Sequence, residues 1–230
     1  MAVAAEVETV DLRETPLREL NRRLHGAGGD PLPPRWRVTH PDGAHAVAVG
    51  IDAPVEVDVD GHVGYYCAGM NQHATVRVHG NAGVGLAENI MSGTVVVDGY
   101  AGQSCAATGR GGLVVVRGHA SARCAISLKG ADVVVAGDTG PMSAFMAQKG
   151  VLVVCGDAGE ALGDSLYEAH LYVRGQVRSL GADCVEKALR GEHVAELEAL
   201  LARADVDADP AAFRRYGSAR RLYAFDVDDA

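Results

Sequence analysis

Residues 76–118 read VRVHGNAGVGLAENIMSGTVVVDGYAGQSCAATGRGGLVVVRG. A short valine-bearing run ends on a glycine three times, at Gly80, Gly99 and Gly118, and the spacing is 19 residues each time. Outward in both directions the same interval recurs without insertion, giving Gly61, Gly80, Gly99, Gly118, Gly137, Gly156 and Gly175. Two residues before each glycine stands a valine: Val59, Val78, Val97, Val116, Val135, Val154 and Val173. Two before those come Val57, Val76, Val95, Val114, Val133, Leu152 and Leu171. Apolar-x-Val-x-Gly is the period-2 pattern of a strand with one buried face, and a terminal glycine is expected to turn the corner at φ > 0. On that reading Gly118→Val is strained, and the neighbouring Arg117 is a surface residue of little consequence.

The register holds through the rest of the unit. Seven residues after the glycines lie Ala68, Ala87, Ala106, Ala125, Ala144, Gly163 and Ala182, a column that asks for an inward corner where only a methyl fits. Nineteen residues cannot hold a strand, a packed helix and two loops, but they suit one turn of a solenoid. The sequence therefore predicts an all-β solenoid: a single-stranded, right-handed parallel β-helix of about seven 19-residue coils with short N- and C-terminal helices. Coils stacked about 4.8 Å apart make a rod roughly 30 Å long.

A solenoid must cover its end coils, whose open strand edges would otherwise pair with other chains. Three segments follow: residues 1–56 as an N-terminal helix and capping segment, 57–183 as the β-helix, and 184–230 as a C-terminal helical cap and tail. In the first, Thr15 reads as an N-cap with Pro16 at N1 and LRELNRRLH as an amphipathic helix, broken by the Gly/Pro-rich stretch 26–34. Residues 36–39 and 46–51 look strand-like. In the last, residues 184–189 and 193–204 read as helices, and Asp209-Pro210 starts another short one.

Composition narrows the function. The chain is 48% apolar, enough for a sizeable core, and its net charge of −9 argues against a nucleic-acid or anionic-membrane partner, which would want a basic face. No window of roughly 18 apolar residues offers a membrane helix, and the acidic N-terminus lacks signal-peptide order. Five cysteines fit a reducing compartment, so a cytoplasmic location is expected.

Several residues look chemical. Cys67, Cys105 and Cys124 share a column with Leu86 and Leu162, which marks it as interior packing; they lack metal-ligand spacing, although stacked Cys105 and Cys124 could in principle bridge. Gly80–Gly85 resembles a nucleotide loop but recurs as part of the repeat, with no following Lys-Ser/Thr. Gly109-Arg110-Gly111-Gly112 could form an anion nest, and a plain turn competes. His62 and His119 share a column three coils apart, about 14 Å, too far to hold one metal. Asp138 stacks on Asp157, and Asp164 on Asp183; such pairs could do acid–base work or hold a hard cation, but the aromatics of a sugar-binding groove are missing. The cluster Arg214, Arg215, Arg220 and Arg221 is a candidate docking patch. No catalytic, cofactor-binding or metal residue stands out.

The stretches GNAGVGLAENIMSGTVVVDGYAG (80–102), VVRGHASARCAISLKG (115–130), GPMSAFMAQKGVLVVCGDAGEALGDSLYEAHLYVRG (140–175) and SLGADCVEKAL (179–189), with RELNRRLH and FRRYGSARRLY, carry a resemblance over nearly the whole chain. It resembles the glycine-motif β-helix domain at the C-terminus of the glutamate synthase large subunit. The likeness is greatest to the free-standing form of that domain, the small subunit of N-methylglutamate synthase (methylamine–glutamate N-methyltransferase). The repeat-bearing subunit of formylmethanofuran dehydrogenase is similar by the repeat alone. The resemblance implies a structural subunit with no cofactor of its own. Its implied partners are a class II glutaminase-like subunit with an N-terminal cysteine and a glutamate-synthase-like subunit holding FMN and an iron–sulfur cluster. Met1-Ala2-Val3 offers no such cysteine here. The competing reading is a stand-alone β-helix enzyme on a carbohydrate or acyl substrate, working through Asp138 or Asp157.

Overall fold

The computed structural model describes residues 7–26 and 32–221. One sheet runs through it in the order β1 (Val7–Asp11), β2 (Arg35–Thr39), β3 (Glu56–Asp60), β4 (Thr75–Val78), β5 (Thr94–Val97), β6 (Leu113–Val116), β7 (Lys129–Val135), β8 (Lys149–Val154), β9 (His170–Val173), β11 (Arg214–Ser218) and β10 (Cys184–Lys187). Strands β1 to β9 are parallel, and β11 returns antiparallel between β9 and β10. The valine column is in register: Val57, Val76, Val95, Val114, Val133, Leu152 and Leu171 oppose one another rung by rung. A second line of parallel bridges joins Val63, Ala82, Ala101, Ala120, Thr139, Ala158 and Val177. The chain is a parallel β-solenoid, as its repeat predicts, and β1 and β2 add two rungs before the first repeat glycine.

The corner uses the left-handed region, but not where the sequence suggests. Among the seven repeat glycines only Gly61 has positive φ. The left-handed residues stand five, seven and nine positions later, for example Tyr66, Ala68 and Met70, or Arg123, Ala125 and Ser127. Their N–H groups point alternately along the axis. Tyr66 donates to Val84 of the next coil, Ala68 back to Val47, and Met70 forward to Glu88. The pattern repeats at Gly85, Ala87 and Asn89 and at Ser104, Ala106 and Thr108. An isolated left-handed residue costs about 1–2 kcal/mol, and hydrogen bonds to both neighbouring coils offset that here. The alanine column is fully buried as well as left-handed at Ala68, Ala87, Ala106, Ala125 and Ala144, so a methyl is what fits.

Helix α1 (Leu17–Leu24) buries Leu20 and Leu24 in the solenoid core. Its Asn21 Nδ2 donates to the Ala46 carbonyl at 2.8 Å, and His25 Nε2 lies 2.7 Å from the Val49 carbonyl, covering backbone acceptors of an early coil. Pro16 is the N-cap and no side chain caps the helix, one position from the Thr15 cap that the sequence suggests. Residues 27–31 of the breaker stretch lie outside the described residues.

Helix α2 (Gly191–Arg203) lies on the flank rather than over the end. Leu197, Leu200, Leu201 and Ala204 form a second core with Val96, Leu113, Val115, Val134, Val153 and Tyr172, the outward side chains of β5–β9. Two-sided burial explains the unbroken apolar runs TVVV, LVVV and KGVLVV where β3 has alternating EVDVD. Arg117 is not inert: its guanidinium binds the Asp205 carbonyl and lies 3.3 Å from the Asp205 carboxylate, tying down the end of α2. Arg203 pairs with Asp132 at 2.9 Å.

Two further expectations fail. Residues 184–187, read as helical, form β10, because pairing with β11 outweighs the helix preference of Glu186, Lys187 and Ala188. Residues 46–51 are a left-handed corner rather than a strand, with positive φ at Ala46, Ala48 and Gly50. The helix expected at Asp209-Pro210 is a single 3-10 turn, Pro210–Ala212, whose first turn Asp209 caps by accepting the Ala211 N–H. Among the described residues no helix is long and apolar enough to cross a membrane.

Candidate functional site

The residue after each repeat glycine forms a column: His62, Asn81, Tyr100, His119, Asp138, Asp157 and Gln176. Its side chains clamp the coils together. Nδ1 of His62 accepts the Asn81 N–H at 2.9 Å, and Oδ1 of Asn81 accepts the Tyr100 N–H at 2.8 Å. Further along, His119 accepts from Asp138, Asp138 from Asp157, and Asp157 from Gln176, at 2.7–2.8 Å. The two histidines and two carboxylates that looked chemical are thus structural acceptors, each bonded to the backbone one coil on.

This ladder accounts for the glycine column. A Cβ on Gly156 would lie 2.1 Å from Asp138 Oδ1, and one on Gly175 would lie 2.2 Å from Asp157 Oδ1. At Gly99 the obstacle is Asn81 Oδ1, and at Gly118 it is the Tyr100 ring with the Gly99 carbonyl. Gly80 meets the Gly61 carbonyl, and Gly137 meets His119 Nδ1 and the Gly118 carbonyl. The glycines also bond to one another, N–H to carbonyl, from Gly80 through Gly99, Gly118, Gly137 and Gly156 to Gly175. Close approach, not positive φ, demands glycine at these positions, except at Gly61 (φ +135°).

The other candidates resolve in the same direction. All five cysteines are free and buried. Burial pushes the Cys67 thiol up to about 12, and the neighbouring Cys124 thiol together with burial raises Cys105, so neither is a ready thiolate. Asp183 accepts from the Ser218 hydroxyl and the Arg221 N–H, which fastens the end of β11, while Asp164 accepts from Ser165. In the stretch 80–85, N–H groups of Asn81, Ala82, Gly83 and Gly85 are all spent on neighbouring coils, leaving no phosphate cradle. Gly109 and Arg110 likewise donate to Ala106 and Ile90, as in a plain turn. Among the described residues no three His, Cys, Asp or Glu side chains converge as a metal site.

The structure assembles one polar cluster that the 19-residue period cannot reveal, because it joins β9, α2 and β11. Glu196 on α2 accepts from the Tyr172 hydroxyl and from His170 Nδ1 at 2.8 Å. Burial alone would raise the Glu196 carboxyl, but these hydrogen bonds outweigh it and hold the carboxyl low. Burial, with Glu196 beside it, pushes Tyr172 up. His193, edge-on to His170 at 5.6 Å, is lowered by burial and by the nearby Arg215. A cavity of about 550 Å³ opens beside this cluster, with His170, Glu196 and Arg215 in its wall.

The four arginines of the sequence-predicted patch are spread around β11. Arg214 is exposed, donates to the Gly175 carbonyl and lies over the Tyr216 ring. Arg215 is half-buried against Tyr172, with its Nε unpartnered. Arg220 and Arg221 stand at the end of the described chain, with Arg221 exposed; residues 222–225 of the same basic stretch lie outside it.

No protein-family model matches the chain. A relative, Protein GlxC of Rhizobium meliloti (strain 1021), is 62% identical over 222 residues, covering 96% of this chain and 97% of its own length. At that identity over nearly the full length of both proteins, the chain belongs to the family of GlxC.

Proposed function

We propose that this chain is a non-catalytic scaffold subunit of a glutamate-synthase-like amidotransferase complex. The setting we favour is N-methylglutamate synthase, which converts methylamine and glutamate to N-methylglutamate and ammonia. The observation that carries the reading is the acceptor ladder: His62, His119, Asp138 and Asp157 are committed to holding coils together. That engagement weighs against a stand-alone enzyme on a carbohydrate or acyl substrate built on Asp138 and Asp157. The resemblance over nearly the whole chain points to the partners, a glutaminase-like subunit and a second subunit with FMN and an iron–sulfur cluster, and this chain would work with them in the cytoplasm. The solenoid would hold them so that ammonia or methylamine passes between their sites. Exposed Arg214 and Arg221 offer docking contacts at its C-terminal end. A similar scaffold in a formyl-transferring complex is the other family reading, and the nature of the co-purifying proteins separates the two. The test is purification of the tagged chain from its native cell. Stoichiometric recovery of a glutaminase-like and a flavin-bearing subunit supports the reading, and a stable monomer defeats it.

A further inference from the structure

The chain carries a net charge of −9 and contains three lysines, Lys129, Lys149 and Lys187. All three gather around the cavity between α2 and the end of the sheet. Lys149 and Lys187 line it, as does Gly130 beside Lys129. Register makes the grouping sharper. Lys129 on β7 stands opposite Lys149 on β8, and Lys187 on β10 stands opposite Arg215 on β11. Like charges directly opposite in a sheet repel, and two such pairs flank one cavity. None of these four residues forms an ion pair among the described residues. The direct partners of the wall's Asp132 and Glu196 are other residues: Arg203 for Asp132 at 2.9 Å, and His170 and Tyr172 for Glu196. Glu168 is the one remaining acidic side chain in the lining.

We propose that this cavity binds a small dianion, whose carboxylate or phosphate oxygens sit between the two cationic pairs and relieve their repulsion. At about 550 Å³ the space falls within the range of small-molecule sites, and charge-assisted hydrogen bonds from Lys and Arg to oxyanions are the stronger kind. The inference does not rest on the scaffold reading, because the site belongs to this chain with or without partners.

The test is calorimetric titration of the full chain with inorganic phosphate and with glutarate at low ionic strength, with sodium chloride as control. Saturable one-site binding of either anion is expected; phosphate alone points to phosphate-bearing ligands, glutarate alone to dicarboxylates. The double variant Lys149→Gln, Lys187→Gln should raise Kd at least about tenfold, while Arg18→Gln on α1 leaves it unchanged. Hydrogen exchange of the unaltered protein gives a readout that needs no variant, since the bound anion should protect the backbone at 149–151 and 185–187. No saturable binding of either anion, or an unchanged Kd in the double variant, would overturn the proposal.

Discussion

Oδ1 of Asp138 accepts the backbone N–H of Asp157, one coil further on, at 2.8 Å. The same oxygen occupies the space that a Cβ on Gly156 would need. Two columns of the repeat, the glycine and the residue after it, are therefore one device. The glycine leaves a gap, and the preceding coil's side chain reaches through it to the next backbone.

Asp138→Asn keeps an acceptor oxygen and should leave thermal stability almost unchanged, whereas Asp138→Ala loses the bond and should cost about 1 kcal/mol. Paired denaturation curves check this. Equal losses in the two variants would mean that the charge, not the acceptor, matters.

Gly156→Ala should destabilise by about 1–3 kcal/mol through overpacking against Asp138 and Gly137. The double variant Gly156→Ala, Asp138→Ala should recover part of that loss, because the nearest obstacle has gone. Gly118→Asn discriminates the cause at a second rung. A corner needing positive φ would tolerate asparagine, whereas the contact with Tyr100 and Gly99 makes it as damaging as alanine. A near-wild-type Tm for Gly118→Asn would contradict the steric account.

Helix α2 forms a second layer on the sheet, so its apolar face should matter as much as the solenoid interior. Leu197→Ala should cost about 2–5 kcal/mol. Arg117→Ala, which frees Asp205, should cost less and speed hydrogen exchange in residues 200–206. Unaltered stability in Leu197→Ala would remove α2 from the fold's energetics.

His79 bridges Asp98 and Asp58, at 2.8 Å from each, and those hydrogen bonds raise its pKa above 6.5. A raised folded value gives stabilisation that is full below the unfolded pKa and fades as pH rises through the folded one. His79→Gln should therefore lower Tm more at about pH 5.5 than at about pH 8.5. A larger loss at the higher pH would reverse the sign and refute the assignment.

The repeat made the architecture legible because stacking forces identical environments every 19 residues: the valine column is buried in every coil, and the alanine and cysteine columns in every coil but the last, where Gly181 and Ala182 are not. Other features escaped for physical reasons. The left-handed positions hold Tyr66, Arg123 and Met142, which carry no sign of such a backbone, because hydrogen bonds between coils rather than local preference set it. Segment 184–187 has helix-favouring side chains but meets β11, a partner about 30 residues further along the chain. The unbroken valine runs of β5–β8 are the one linear trace of a cover on the outer face, and α2 is that cover. The cavity with Lys149, Lys187 and Arg215 draws on separate elements and has no linear signature.

The central claim is that this rod works by holding other subunits. The most direct measurement is the mass of the native assembly after the chain is co-expressed with a glutaminase-like subunit and an FMN-bearing glutamate-synthase-like subunit. The account predicts a single complex containing all three, weakened by Arg214→Glu with Arg221→Glu. A monomeric solenoid eluting apart from both partners would contradict it.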